Sequence, residues 1–448
     1  MYLADRRAAA PPGDGRDGAD RPPGRRGVTA LPPTVLVLGT VSLITDISSE
    51  MVTAVLPLYL VAELGLSPLG FGVLDGVYNG VGALVRLVGG RLSDRGGGAG
   101  HKAVAAVGYG LSALCKPLLL LVHSLPLIGA VLAVDRTGKG LRTAPRDAMI
   151  SLAAEPAVRG RAFGVHRAMD TAGALCGPLV AFVLLRAAAE GYDAVFLASF
   201  CVAVLGVVVL LLFVPRTIAA ARGTTERAVA ERAVAAEQPP AGPRTPVRAL
   251  LGRPEVRRLT GCAVLLGLTT LSDSFLYLTL QRDLDLPTGW FPLLPLGTAA
   301  AFLLLAVPLG AVADRIGRRR LFLAGHLALL CAYGLLLVPP GGGVALAGAV
   351  LVLHGTFYAA TDGVLAAATA DAVPEDARGS GLAVVQTGQT AARFVCSLAF
   401  GAAWTAWGAR TAVLTAALGL ALAAAVSAFL LRRAVPAQPP NSPSEEPA

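Results

Sequence analysis

Six ionisable side chains, Asp135, Arg136, Lys139, Arg142, Arg146 and Asp147, follow directly on the apolar run from Leu125 to Val134. They begin about halfway along a segment with the composition of a membrane span. Central charges in hydrocarbon cost roughly 2.5–3.5 kcal/mol each on insertion scales, less where they pair or reach water. Such a stretch is kept where it lines something wet and useful. On a helix, Asp135, Lys139, Arg142 and Arg146 form one continuous stripe, and Asp135 lies one turn from Lys139, close enough for mutual neutralisation. Pro145 is expected to end or kink the helix. Arg142, Arg146 and Asp147 have a second reading, as interfacial side chains snorkelling to the membrane surface. Asp135 and Arg136 sit nearer mid-depth, where a charge points to function.

Other charges fall inside apolar segments: Asp46 and Glu50 one turn apart, Asp75 and Arg86, Lys116, Arg167 and Asp170, then Asp273, Asp362 and Arg393. In hydrocarbon these must face a cavity or pair. A carboxylate near an arginine in a partly dry cavity changes its proton affinity with access to water, which is what a proton-coupling site needs. Asp46, Glu50 and Asp135 are the proton-carrier candidates, with Arg136 as counter-charge. Lys139, Arg142, Arg167, Asp170, Asp273, Gln386, Gln389 and Arg393 are the candidates for the wall of a substrate cavity. Asp75, near the start of its segment, is expected to be solvated.

These residues need helices to hold them, and composition supplies the class. Of 448 residues, 54% are hydrophobic and only 15% charged, against about 25% charged in soluble domains. Apolar runs recur at about the 20-residue length that crosses a bilayer. The fold class is therefore an all-α polytopic membrane protein. Its 52 glycines and 31 prolines suit membrane helices, which pack closely through small residues. The net charge of +9 reads as topology-setting loop arginines, not as a nucleic-acid surface. Six cysteines are scattered singly with no CxxC pair, and are expected to be buried reduced thiols with no metal role.

Along the chain, 1–30 is a polar Arg/Pro/Gly tail without the apolar core of a signal peptide. Spans are expected over 33–60, 70–92, 103–122, 126–150, 162–185 and 194–214, then 257–280, 290–312, 321–338, 343–370, 380–404 and 409–431. This gives about twelve helices in two pseudo-symmetric six-helix bundles, 31–215 and 257–433. A charged linker, 216–256, joins them, with Glu-Arg-Ala-Val-Ala repeated at 226–230 and 231–235, and 434–448 is a polar tail. Loop arginines concentrate on one side, which makes that side, both termini and the linker cytoplasmic, in a cell membrane. The halves carry matching landmarks. Gly90, Asp94 and Arg95 recur as Gly310, Asp314 and Arg315, and Arg159-Gly160 recurs as Arg378-Gly379. Asp46 and Asp273 form a looser third pair. Two like halves with a site between them describe many secondary transporters.

The loop after the second span resembles the major facilitator superfamily signature of Gly, three residues, Asp, Arg and a basic glycine-bearing turn. Here it reads Gly90, Asp94, Arg95, with a second copy at Gly310, Asp314, Arg315. An aspartate at a helix N-terminus meets the positive dipole end, and an arginine can pair with it; the resemblance implies a conformational latch. The fourth span is similar to the family pattern at Leu132, Arg136 and Gly140. It departs from that pattern at Lys139 and Arg142, which stand where glutamine and glycine are usual and add positive charge. In the fifth span Gly164, Gly173, Gly177 and Pro178 have the spacing of the superfamily's drug/proton antiporters, with Ala181 in place of the closing glycine.

The resemblance implies a monomeric secondary transporter that needs no cofactor and works by alternating access. The favoured activity is proton-coupled efflux of a drug-like or metabolite substrate, of the multidrug-resistance kind. The alternative is an importer or facilitator of an organic anion, motivated by Lys139 and Arg142. An enzyme is disfavoured: there is no Gly-x-Ser-x-Gly elbow and no His-Glu-x-x-His. Gly138-Lys139-Gly140 lacks the upstream glycine and the Ser/Thr of a phosphate-binding loop, so ATP-driven transport is not indicated.

Overall fold

The computed structural model describes residues 31–93, 97–155, 158–188, 191–215, 251–338, 343–362, 364–373 and 378–432. The expected tails and most of the linker lie outside these residues, as do Asp94 and Arg95. The described residues are helical throughout, joined by short turns. In chain order the helices are α1 Pro33–Leu58, α2 Pro68–Ser93, α3 Gly97–Leu121, α4 Leu125–Ala153, α5 Arg159–Ala187 and α6 Gly191–Phe213. Then come α7 Pro254–Gly267, α8 Asp273–Asp283, α9 Leu293–Ile316, α10 Arg318–Leu336, α11 Gly343–Thr361, α12 Val364–Asp371, α13 Arg378–Trp407 and α14 Ala409–Arg432. Among the described residues, eight helical segments are long and apolar enough to cross a membrane. α4 and α13 have the length, 29 and 30 residues, but too many polar side chains to belong to that group.

The helices form two groups. α1 packs on α5 and α6, α3 on α4 and α6, and α2 on α4; likewise α9 packs on α11, α10 on α11 and α14, and α13 on α7. The groups meet where α2 lies along α13 and α5 approaches α9. Leu, Phe and Val side chains turned outward, such as Leu304, Val307, Leu212 and Leu422, suit contact with lipid. Three of the six cysteines depart from the expected burial: Cys176, Cys201 and Cys331 face outward, while Cys115, Cys262 and Cys396 are buried, and all are free thiols.

Of the two outcomes expected of Pro145, an end to the helix is not what is found: α4 runs on to Ala153, in keeping with the span expected over 126–150; a membrane helix tolerates proline where neighbours satisfy the freed carbonyl. The segment expected to run unbroken over 257–280 is split between α7 and α8. Thr269 and Thr270 turn their hydroxyls back onto Leu266 O, at 3.0 and 2.8 Å. Ser272 then caps α8 through Phe275 N. Hydroxyl side chains compete in this way with the helical ladder. The phenol of Tyr333 accepts from Leu271 N at 2.7 Å, so the opened backbone is satisfied from α10. Elsewhere, the Lys102 ammonium caps the end of α6, donating to Leu211 O at 2.9 Å and Val214 O at 2.5 Å. The turn between α9 and α10 rests on Gly317, whose φ of +93° only glycine adopts readily.

Candidate functional site

The charges of α4 each find a partner, though not the one local spacing suggests. Asp135 does not pair with Lys139. It accepts from Arg136 at 2.7 and 3.1 Å, from Ser112 Oγ at 2.6 Å and from the Lys116 ammonium at 3.3 Å. Lys116 and Ser112 belong to α3. A pair of glycines lets that helix come close: a Cβ on Gly108 would lie 2.7 Å from Gly138 O, and one on Gly138 would lie 2.6 Å from Gly108 O. The Arg136 guanidinium stacks on the Tyr78 ring at 3.8 Å. Lys139 instead reaches Glu50 at 3.3 Å, in a pair left partly open.

Arg142 is not interfacial either. It is 3% exposed, lies over the Tyr109 ring at 4.6 Å and donates to Asp46 at 3.0 Å. Arg146 contacts Asp147 at 3.1 Å, Asp170 at 3.4 Å and Ser42 at 3.3 Å. Asp170 also neighbours Asp46, so two carboxyl groups sit side by side between Arg142 and Arg146. Arg167 turns outward, its side chain 80% exposed and 3.8 Å from Asp170, which removes it from the cavity wall.

The site itself lies between the two helix groups. A cavity of about 370 Å³ is lined from one side by Glu50, Thr53, Asp75, Tyr78 and Asn79, and from the other by Thr270, Ser272, Asp273, Tyr277, Tyr358, Asp362, Arg393 and Ser397, among others. A second cavity of about 100 Å³ adjoins it, sharing Tyr358, Asp362 and Arg393 and adding Gln386 and Gln389. Of the expected wall residues, Asp273, Arg393, Gln386 and Gln389 line these spaces. Lys139, Arg142 and Asp170 are not among the lining residues, because they are drawn into the ion pairs of α1, α4 and α5. Of the expected proton carriers only Glu50 reaches the main cavity.

Three features escaped the sequence: the burial of Asp75, the helix break before Asp273, and the pair His354 and Tyr358. Asp75 is not solvated; it is 6% exposed and accepts from Ser397 Oγ across the α2–α13 contact. Asp273 stands at the helix break, in the first turn of α8, where the positive dipole end favours a carboxylate. Its Oδ1 accepts from Tyr358 at 2.6 Å and lies 3.3 Å from His354 Nε2. His354 and Tyr358 are one turn apart on α11, and that spacing was the available signal. Irregular backbone at this depth is tolerated where it lines a cavity.

The cavity is closed at the end where α2 begins and α13 finishes. The two helices touch through glycines: a Cβ on Gly72 would lie 2.6 Å from Ser397 O, and one on Gly401 would lie 2.5 Å from Pro68 O. Leu69 N donates to Thr405 Oγ1 at 3.1 Å. Phe71 meets Phe275 edge-on at 5.0 Å, and Phe275 meets Phe400 at 4.8 Å. Beside this plug, Phe182 of α5 packs on Trp290 at 5.6 Å, with Arg186 over the same indole at 5.7 Å.

The glycines of α5 divide into two kinds. A Cβ on Gly173 would lie 2.5 Å from Leu43 O, and one on Gly177 would meet Glu50 Cβ at 2.7 Å and Ile47 O at 2.8 Å, whereas Gly164 has open space. Gly177→Val is therefore expected to push α5 off α1 and cost about 1–3 kcal/mol of overpacking. Gly164→Ala should leave thermal stability and membrane level unchanged. Equal tolerance of both substitutions, measured by melting of the purified protein, would refute this packing role. Of the expected latch, Gly310 and Arg315 fall on α9, with Arg315 exposed; the Asp314 side chain, like Asp94 and Arg95, lies outside what is described.

The family model described as Major Facilitator Superfamily matches residues 38–395 and 288–448. A relative in Methanocaldococcus jannaschii, described as an uncharacterised MFS-type transporter, is 34% identical over 183 residues, 40% of this chain and 44% of that protein. A Mycobacterium tuberculosis protein is 35% identical over 158 residues, 35% of this chain and 38% of its own length. The chain thus spans about two fifths of the length of these curated relatives. Among solved structures, a POT family transporter in complex with 5-aminolevulinic acid aligns with a TM-score of 0.72 at 14% identity, covering 92% of this chain and 99% of that one. A bacterial homolog of the human lysosomal transporter Spinster, in an inward-facing and occupied conformation, gives 0.71 at 16%, covering 89% and 96%. The nucleoside transporter NupG gives 0.71 at 13%, covering 89% and 99%. At these identities the likeness is one of fold.

Proposed function

The chain belongs to the Major Facilitator Superfamily, and on that premise we propose that it exports a small molecule by alternating access in exchange for protons. Membership makes it a multi-pass membrane transporter of small molecules and not an enzyme. The finer reading takes the two helix groups as six-helix bundles, 31–215 and 257–433, giving twelve spans with α7–α8 and α11–α12 each counted as one broken span. The loop arginines set both termini in the cytoplasm of a cell membrane. The sealed end is then external and the conformation inward-facing. The protein works as a monomer, with Gly90, Asp94, Arg95, Gly310, Asp314 and Arg315 as its cytoplasmic latch.

The observation that carries proton coupling is Glu50. It faces the cavity from α1 and is held by Lys139 at 3.3 Å in a pair open to water. A proton on Glu50 frees Lys139, and loss of that proton restores the pair, so the protonation state and the α1–α4 contact are linked. Asp46, beside Asp170 and under Arg142, is a second proton position one turn nearer the start of α1. Asp135 and Arg136 are the fixed counter-charges of this half. The antiporter-type glycines at 173 and 177 hold α5 against the Glu50 turn of α1, which fits exchange. The anion-import alternative drew on Lys139 and Arg142; both cations are matched by Glu50 and Asp46, so it loses its support.

The test is a panel of toxic compounds screened against a deletion strain and an overexpressor, followed by transport of each hit in everted vesicles. Export should stop when a protonophore collapses the gradient, and Glu50→Gln should uncouple it. Uphill transport that persists without a proton gradient would overturn the proposal.

A further inference from the structure

We propose that the central cavity binds a small zwitterion, with Arg393 taking its acidic group and the carboxylates of Asp75 and Asp273 taking its ammonium. The inference rests on the reading of this cavity as the transport site, and adds its substrate class. Four carboxylates, those of Glu50, Asp75, Asp273 and Asp362, line the cavity against one guanidinium, that of Arg393. Lys139 already matches one of the four, Glu50, which leaves three carboxylates facing Arg393. Among the described residues, Arg136 and Lys116 are held by Asp135, Arg142 by Asp46 and Arg146 by Asp170, none of which lines the cavity.

Arg393 differs from all of these. Among the described residues it makes no ion pair, and its buried Nε has no hydrogen-bond partner. It lines both cavities, at the place where they adjoin. A buried donor left unsatisfied asks for an acceptor from the ligand, and a planar guanidinium suits a carboxylate or phosphonate. A plain anion would meet the surrounding carboxylates; a plain cation would leave Arg393 unmatched. Asp75 and Asp273 both line the cavity, and Asp273, its side chain 44% exposed, is the one that presents a second oxygen to an ammonium. Ser397 donates to Asp75 Oδ2, and Tyr358 and His354 sit on Asp273 Oδ1. A volume of about 370 Å³ lies at the small end of the roughly 300–1,000 Å³ of ligand pockets, and fits a molecule of amino-acid to dipeptide size.

The experiment is calorimetric titration of the purified full-length protein in detergent. The probes are the common L-amino acids and alanine-containing dipeptides, their methyl esters, which are cations, and their N-acetyl forms, which are anions. At least one zwitterion should bind roughly tenfold or more tighter than both of its capped forms, the scale of one charge-assisted hydrogen bond. Arg393→Gln should weaken that zwitterion by a similar factor and leave its methyl ester unchanged; Asp273→Asn should do the same with respect to the N-acetyl form. Unchanged binding of the capped form shows in each case that the variant is folded. Binding in detergent needs no gradient and no direction, so a failure of proton coupling leaves this result intact. Equal binding of zwitterion and ester, an Arg393→Gln variant that weakens both alike, or no zwitterion bound at all would overturn the assignment.

Discussion

Arg136→Ala is expected to abolish transport while the protein still reaches the membrane. In the wild type the guanidinium holds Asp135 at 2.7 and 3.1 Å and stacks on Tyr78 at 3.8 Å, and Tyr78 is part of the cavity wall. Arg136 therefore connects the buried charge cluster of α3 and α4 to the wall of the central cavity. Removing one partner of a buried ion pair costs about 3–5 kcal/mol when the other is left alone. Asp135 is not left alone, because Lys116 and Ser112 remain at 3.3 and 2.6 Å, so the loss to folding should fall below that range. Asp135→Asn should be the worse variant for stability, since it leaves Lys116 and Arg136 facing each other uncompensated. Arg136→Lys keeps the charge but loses the planar stack and the two-point grip, and is expected to transport at roughly a tenth of the wild-type rate or less. Transport per molecule in vesicles, with membrane level measured alongside, decides this. Normal activity in Arg136→Ala would remove the residue from the mechanism.

The sequence exposed the Asp135–Arg136 cluster for a simple reason: charges interrupt an otherwise apolar helix, and hydrocarbon makes every such interruption costly. Finding its partners needed more. One-turn spacing nominates Lys139, whereas the packing of α3 on α4 supplies Lys116, nineteen residues before Asp135. That choice is made by Gly108 and Gly138, whose missing side chains bring the two backbones together. In a chain with 52 glycines no pattern within one helix singles these two out. The same limit hid Asp75, since its partner Ser397 is 322 residues away. The break before Asp273 was concealed because Thr-Thr-Leu-Ser is acceptable in a membrane helix until Tyr333 is there to receive the opened backbone. His354 carries no signal of its own in the sequence, because its contact with Asp273 depends on that break. All-α class, membrane location and the pairing of like halves were legible because they depend on composition and repetition. The division of cations into paired and unpaired, which separates Arg393 from Arg142, exists only in three dimensions.

Joining position 69 to position 405 should stop transport. Here α2 and α13 come from opposite helix groups, and they touch through Gly72 and Gly401 with Leu69 N on Thr405 Oγ1 at 3.1 Å. If access alternates by rocking one group against the other, this contact must open once in every cycle, and the Phe71–Phe275–Phe400 plug must come apart with it. Cysteines placed at Leu69 and Thr405, in a chain whose six native cysteines are replaced, should be joined by a short bifunctional thiol reagent with loss of nearly all activity. A reagent with a reducible bond should give the activity back on reduction, and neither single cysteine should respond. The control is a link inside one group. Ser48 of α1 and Ser199 of α6 lie with their hydroxyls 2.9 Å apart; these helices move together in a rocking transporter, so Ser48→Cys joined to Ser199→Cys should remain active. Transport that survives the 69–405 link would mean that α2 and α13 stay together throughout the cycle, and that the cavity opens along the α5–α9 contact instead. Loss of activity in both pairs would point to general stiffening and would leave no special place for the sealed end.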